Sequence, residues 1–356
     1  MKFQIREGAA ASLGAAAVVA RILYGITIDL PWLYNSGWIS VLLGGVLALP
    51  VALAAAQLRA ASAGKSPLSA LNARRPVLAR LLASVLMLTA AFDATMAVDA
   101  IADSAGYAAL DSVAKIYLLL PQLALCAWGL TLNGDAIGDS ARICNRILLC
   151  IFVLFMLREI PDLCPEWLTP ILGPGVPALL DGAVRVAGWL SLLAGLFLIA
   201  EPDVQHPANA IRPVSVMAIG GAIGMGLVLL HGMMLPALVR AEGFSRYFLL
   251  DTVLTNGRTT LALQLPKMIV WFGSLFFLML SDSFLCAAML QTVAPRLPRF
   301  VCIGIVTAGI AALALTNISA SRVKTPVGRW LYAAQAGVML AAMVGLALER
   351  KEAQRA

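Results

Sequence analysis

Arg21, Asp93 and Asp282 are ionisable residues set inside long apolar runs, and each poses the same chemical question. A charge near the middle of a bilayer costs about 2.5 to 3.5 kcal/mol on insertion scales, so it needs a partner, a water-filled cavity or a use. Arg21 lies about thirteen residues into the first run, hence roughly 20 Å from its start at ~1.5 Å per residue, and Asp93 lies at a similar depth in the third. Asp282, flanked by Ser281 and Ser283, sits near the middle of the eighth. The shared depth pairs Arg21 with Asp93, with Asp282 or with both. Two chemistries are open to such a cluster: a structural ion pair that holds helices in register, or the floor of a central cavity where a carboxyl carries a proton.

The stretch Arg21–Pro31, Arg-Ile-Leu-Tyr-Gly-Ile-Thr-Ile-Asp-Leu-Pro, brings a charge, a Gly, a Thr, an Asp and a Pro into the first apolar run. Backbone freed from its helix inside lipid must line a cavity or be buried in protein. The stretch therefore predicts an interrupted first helix, with Tyr24, Gly25, Ile26 and Thr27 offering backbone groups to a ligand; the alternative is an ordinary helix followed by a Pro-containing loop. The sixth run offers a counterpart at Gly188, Trp189 and Ser191, with Gly182, Gly195 and a Glu201-Pro202 exit around it. Half-helix N-termini there favour a carboxylate and C-terminal ends an amine or cation. Tyr24 and Trp189 either wall the pocket by stacking or simply pack.

Other candidate groups read as structural. Asp99 and Asp103 share one face near the outer end of the third run, as solvated groups or as an acidic vestibule. His231 reads as a packed, hydrogen-bonded histidine and Lys267 as a snorkelling lysine. Gly220 and Gly224 read as a close helix contact. The six cysteines, Cys126, Cys144, Cys150, Cys164, Cys286 and Cys302, lack metal-ligand spacing and read as free thiols. No nucleotide-binding Gly loop, metal cluster or nucleophile–base set is present in the sequence, so neither a cofactor nor an enzymatic activity is expected.

The elements that position these residues are membrane helices. Of 356 residues, 61% are hydrophobic and 13% charged, with a mean hydropathy of +0.88, whereas about a quarter of a soluble domain is charged. The pattern predicts an all-α polytopic membrane protein of ten transmembrane helices, at 8–29, 37–58, 78–102, 114–131, 142–158, 179–200, 213–236, 263–291, 299–317 and 327–348. The expectation is one membrane domain over 1–356, embedded in membrane lipid, without a cleaved leader because Arg21 interrupts the first run. Ten crossings put both termini on one side. Most of the 26 Lys and Arg then fall on that side, above all Arg59, Lys65, Arg74, Arg75 and Arg80, which makes it cytoplasmic. In a membrane protein the net charge of +7 is topology, not a nucleic-acid surface. Ten spans also divide as five plus five, the arithmetic of an inverted repeat, about 8–158 and 179–348.

Gly37-Trp38-Ile39-Ser40-Val41-Leu42-Leu43-Gly44 opening the second span carries a resemblance, with Ile171-Leu172-Gly173-Pro174-Gly175 leading through Leu180-Asp181-Gly182-Ala183 into the sixth. Tyr247, Gly257 and Trp271 extend it. The chain resembles the B subunit of spore germination receptors, the GerAB-type germination permeases of the amino acid-polyamine-organocation transporter superfamily. The resemblance implies a LeuT-like fold of two inverted five-helix repeats, with substrate between interrupted helices 1 and 6. It also implies that the eighth span, with Asp282 and Ser283, packs against the first where related transporters hold a cation. As partners it implies an A-type membrane subunit, a C-type lipoprotein subunit and a small-molecule nutrient ligand, in the inner membrane of a spore. Leu193 stands where the family often has an acid, and Leu278 where it has a lysine.

Three functions are compatible with these residues. One is a receptor subunit that binds a nutrient and signals to partners, which the missing helix-six acid favours. The second is a proton-coupled secondary transporter of amino acids or related small solutes. The third is a structural membrane subunit with a degenerate pocket.

Overall fold

The structure, a computed structural model, describes residues 3–24, 36–60, 62, 65–109, 114–169, 171–173, 175–201, 220–221, 223–224, 226–227, 261–316, 330–331 and 333–341. A short strand β1 (Ile5–Arg6) leads into α1 (Glu7–Tyr24), followed by α2 (Gly37–Ala60), the short α3 (Pro67–Arg74), α4 (Pro76–Ala109), α5 (Lys115–Thr131) and α6 (Gly134–Glu159). Two 3-10 turns, Ile160–Asp162 and Pro165–Leu168, cross to α7 (Val176–Ile199), which runs straight into β2 (Ala200–Glu201). Then come α8 (Leu261–Val293) and α9 (Arg299–Leu315), with further helical residues within 220–227 and 330–341.

Apolar composition and the need to satisfy every backbone group inside lipid dictate helices here. Among the described residues, four stretches are long and apolar enough to span a bilayer: Gly37–Arg59, Pro76–Ala102, Val176–Ile199 and Ile269–Val293. Two shorter apolar helices, Lys115–Thr131 and Arg299–Leu315, run beside them. The protein is an integral membrane protein, and its outward apolar side chains, such as Val46, Trp128 and Leu154, meet lipid.

Small residues set how close the helices come, because lipid supplies no hydrophobic drive between them. A Cβ on Gly44 of α2 would lie 2.6 Å from Val186 Cβ and 2.8 Å from the Ala183 carbonyl oxygen of α7. A Cβ on Gly138 of α6 would lie 2.4 Å from Ala9 Cβ of α1, and one on Gly134 would lie 2.4 Å from the Gln4 carbonyl oxygen. Both pairs of helices thus pack nearly backbone to backbone.

One end of the bundle is tied by the N-terminal segment. β1 and β2 pair in parallel, Ile5 beside Ala200 and Arg6 beside Glu201. Arg6 donates its backbone N–H and its Nε to the two Asp135 carboxylate oxygens, at 2.8 and 2.7 Å. The Phe3 N–H donates to Gln291 Oε1 at 3.0 Å, and Arg59 donates to Glu7 at 3.1 Å and to the Ala200 carbonyl at 3.4 Å. Arg299 reaches the Leu130 and Leu132 carbonyls at the end of α5, a favourable place for a cation. The starts of α1, α6 and α9 and the ends of α2, α5, α7 and α8 therefore meet at one end, as successive spans of alternating direction require.

Three expectations need correction. The sixth span is not interrupted at Gly188–Ser191, because α7 is a continuous helix from Val176 to Ile199. Its glycines are packing contacts instead of breaks: a Cβ on Gly195 would meet Leu285 of α8 at 3.0 Å, and the Ser191 hydroxyl donates to the Ala187 carbonyl of its own helix. The fifth span begins at Gly134, not 142, since Gly134 and Gly138 dock its charged first turns against the N-terminal segment. Of the expected pair in the seventh span, Gly220 has open space around it, while Gly221 and Gly226 face Val18 and Leu42 at 3.1 and 3.2 Å. His231 and most of 213–236 lie outside the described residues, as do the ends of 327–348.

Candidate functional site

Four helices bring one residue each to the centre of the bundle. Arg21 comes from the last described turn of α1, Asp93 from the middle of α4, Asp282 from α8 and Trp189 from α7. All four are buried, with 5% exposure or less. The Arg21 guanidinium donates to Asp93 Oδ2 in a short hydrogen bond, stands 3.8 Å from Asp282 Oδ2, and lies 5.5 Å from the centroid of the Trp189 ring. The indole therefore caps the cation with its π face.

The helices that carry these groups are held so that they cannot drift apart. α8 is buried over most of its length between α1, α4, α5 and α6. On α4, Thr89 and Thr95 satisfy their hydroxyls on the Val85 and Ala91 carbonyls of the same helix. On α2, Ser40 donates to the Leu179 carbonyl at 2.9 Å, which fixes α7. Around Asp282 the lining is small and weakly polar: Ser281 and Ser283 beside it on α8, Cys286 one turn on, and Cys126 of α5 against Ser283.

Among the described residues the charge at this centre is out of balance. One guanidinium faces two carboxyl groups, and Asp93 holds the direct hydrogen bond. Two unit charges about 4 Å apart interact with ~4 kcal/mol at an effective dielectric constant of 20, so Arg21 still attracts Asp282, but one cation cannot neutralise both. Asp282 Oδ2 has no hydrogen-bond partner among the described residues. A buried carboxyl group is costly to leave without a compensating partner.

Of the sequence-predicted residues, the structure brings Arg21, Asp93, Asp282 and Trp189 together. Ser283 is buried beside them, with its hydroxyl unpartnered among the described residues except for the Cys126 thiol. Gly188 and Ser191 lie within an intact helix, so their backbone groups are not freed for a ligand. Tyr24 closes the described part of α1, and Gly25, Ile26 and Thr27 lie outside the described residues. Asp99 is not solvated: it is 2% exposed and pairs with Lys115 Nζ of α5 at 2.9 Å. It lies inside the packed stretch of α4 because that helix continues to Ala109, past the expected end at 102. Among the described residues no group of three or more His, Cys, Asp or Glu is placed to hold a metal ion, and no disulfide joins the cysteines.

No family model matches the sequence, and no curated protein does. Solved structures do resemble it. Mhp1, a nucleobase-cation-symport-1 family transporter in a closed conformation with bromovinylhydantoin bound, superposes with a TM-score of 0.69 at 13% identity, over 95% of this chain and 78% of that one. A mutant of the Eremococcus coleocola manganese transporter gives a TM-score of 0.57 at 14% identity, over 96% and 75%. The same transporter in complex with an aromatic bis-isothiourea substituted compound gives 0.51 at 15% identity, over 96% and 75%. At these identities the likeness shows the fold alone: a LeuT-like helical membrane fold.

Proposed function

We propose that this chain is a proton-coupled secondary transporter of an amino acid or a related small solute, built as ten spans in two inverted halves with both termini cytoplasmic. The observation that carries the reading is the sharing of one buried guanidinium, Arg21, by two buried carboxyl groups, Asp93 and Asp282. With all three ionised, the centre has one negative charge in excess in a low-dielectric interior. A proton on Asp282 removes it. When that proton leaves, the charge must be compensated by a cationic part of the solute or by opening of the bundle to water, and either event ties proton movement to solute movement.

The fold supports the reading, because its solved examples are described as transporters and one encloses a small ligand. Trp189 over Arg21 marks one wall of the proposed chamber. Residues 25–27, following directly on α1, are the proposed source of backbone contacts to solute. Coupling here would not depend on an acid in the sixth span, since Leu193 is a buried apolar side chain.

The experiment is uptake into proteoliposomes across an amino-acid panel with an imposed pH gradient. Gradient-driven uptake that disappears in Asp282→Asn, while exchange without a gradient survives, is the expected result. Uptake indifferent to the gradient, or unchanged in the variant, overturns the reading.

A second reading, the membrane subunit of a spore germinant receptor, rests on the sequence resemblance at Gly37–Gly44 and Ile171–Gly175 and on the leucines at 193 and 278. It requires A-type and C-type partner subunits and a nutrient ligand. Co-expression with such subunits yields a stable complex on this reading, and nutrient-triggered germination fails in Gly25→Trp. Germination unaffected by that variant would dismiss it.

A further inference from the structure

Between Leu30 and Phe92 the chain has no acidic residue, yet it has Arg59, Lys65, Arg74, Arg75 and Arg80. Arg59 is used internally, buried against Glu7 and the Ala200 carbonyl. The other four are exposed, at the end of the bundle that holds the N-terminal strand. α3 positions two of them. Ser66 caps it, Pro67 starts it, and Pro67, Leu68 and Leu71 are buried, so that Arg74 and the following Arg75 emerge on the outer side. The chain then enters α4 at Pro76 without a loop.

The first turns of α4 continue the surface in a different chemistry. Val77 is 81% exposed, Leu81 51% and Leu88 53%. At 3.6 residues per turn these three and Arg80 lie on one face of the helix. A cluster of cations thus stands directly above an apolar stripe that runs down a membrane span. A phosphate above and an acyl chain below is the shape of an anionic phospholipid, and the planar fork of arginine suits the phosphate.

We propose that Arg74, Arg75 and Arg80 bind the headgroup of an anionic phospholipid whose acyl chain lies along Val77, Leu81 and Leu88. A soluble anion would engage the cations without the stripe. A purely topological role for the charges would give no preference among lipids, since the positive-inside rule concerns orientation during insertion.

The test uses the full chain in micelles of mixed phosphatidylglycerol and phosphatidylcholine, with the retained lipid counted by native mass spectrometry. Wild type is expected to keep phosphatidylglycerol at least tenfold over phosphatidylcholine. The Arg74→Gln/Arg75→Gln/Arg80→Gln variant is expected to bring that preference down to near parity, since each cation near the surface favours an anionic lipid. Val77→Asn with Leu81→Asn should reduce retention of both lipids. Equal retention of the two lipids by wild type overturns the proposal without recourse to any variant, and so does displacement of phosphatidylglycerol by inorganic phosphate. An unchanged preference in the arginine variant, with its elution in size exclusion unaltered, also overturns it.

Discussion

The tied end of the bundle and its buried centre handle charge in opposite ways. At the tied end three cations hold the helices through direct contacts: Arg6 with Asp135, Arg59 with Glu7, Arg299 with the carbonyls at the end of α5. Within the Arg6–Asp135 and Arg59–Glu7 pairs the charges cancel one for one. At the centre, one guanidinium serves two carboxyl groups with almost no exposure. The first arrangement is complete as it stands and holds helices together. Among the described residues the second lacks one positive charge, and the proposed coupling is placed there for that reason.

Removing the central cation strikes the unbalanced region hardest. Arg21→Leu leaves two buried carboxyl groups without their cation and is expected to lose about 3 to 5 kcal/mol of stability, read as a large drop in thermal midpoint in detergent. A drop no larger than that of an exposed substitution would mean the centre is hydrated. Overpacking comes next. Gly138→Leu pushes a side chain against the Ala9 backbone, where nothing flexible can yield, and should cost about 1 to 3 kcal/mol by the same measurement.

Asp282→Asn sharpens the comparison from the other side. It replaces a carboxyl group whose Oδ2 has no hydrogen-bond partner among the described residues, so its thermal midpoint should stay close to wild type although the site is buried. A collapse comparable to Arg21→Leu would show that the carboxylate is ionised and needed for structure. The smallest effect belongs to the tied end. Arg6→Gln removes a pair whose arginine side chain is 72% exposed, and surface pairs contribute about 0 to 1 kcal/mol. A change in thermal midpoint near the detection limit is expected, and a large one would make the N-terminal segment more than a tie.

The central cluster was legible because depth in an apolar run can be counted residue by residue. Arg21 and Asp93 reach the same level from the same side, and lipid leaves such charges few alternatives to meeting. The spans were legible for the same reason of composition. Glycines misled. A glycine in an apolar run is compatible with a broken helix and with a close helix contact, and only the neighbouring helix decides. At Gly195 the neighbours are Leu285 of α8 and Leu86 of α4, which come near enough that this glycine serves contact and the helix stays whole. Asp99 was misread because its burial depends on where α4 stops, and a helix end within a long Ala-rich run leaves little trace in sequence. The early start of α6 was hidden by its charges, since Asp135 looks like a loop residue until Arg6 is placed against it.

The most direct measurement of the central claim is infrared difference spectroscopy of the whole protein in lipid, following the carbonyl stretch of protonated carboxyl groups as pH is changed. A band from a protonated, water-shielded carboxyl that is present in wild type, retained in Asp99→Asn and absent in Asp282→Asn is the predicted result. No such band in wild type, or one that survives in Asp282→Asn and vanishes in Asp93→Asn, would contradict the assignment of the proton to Asp282.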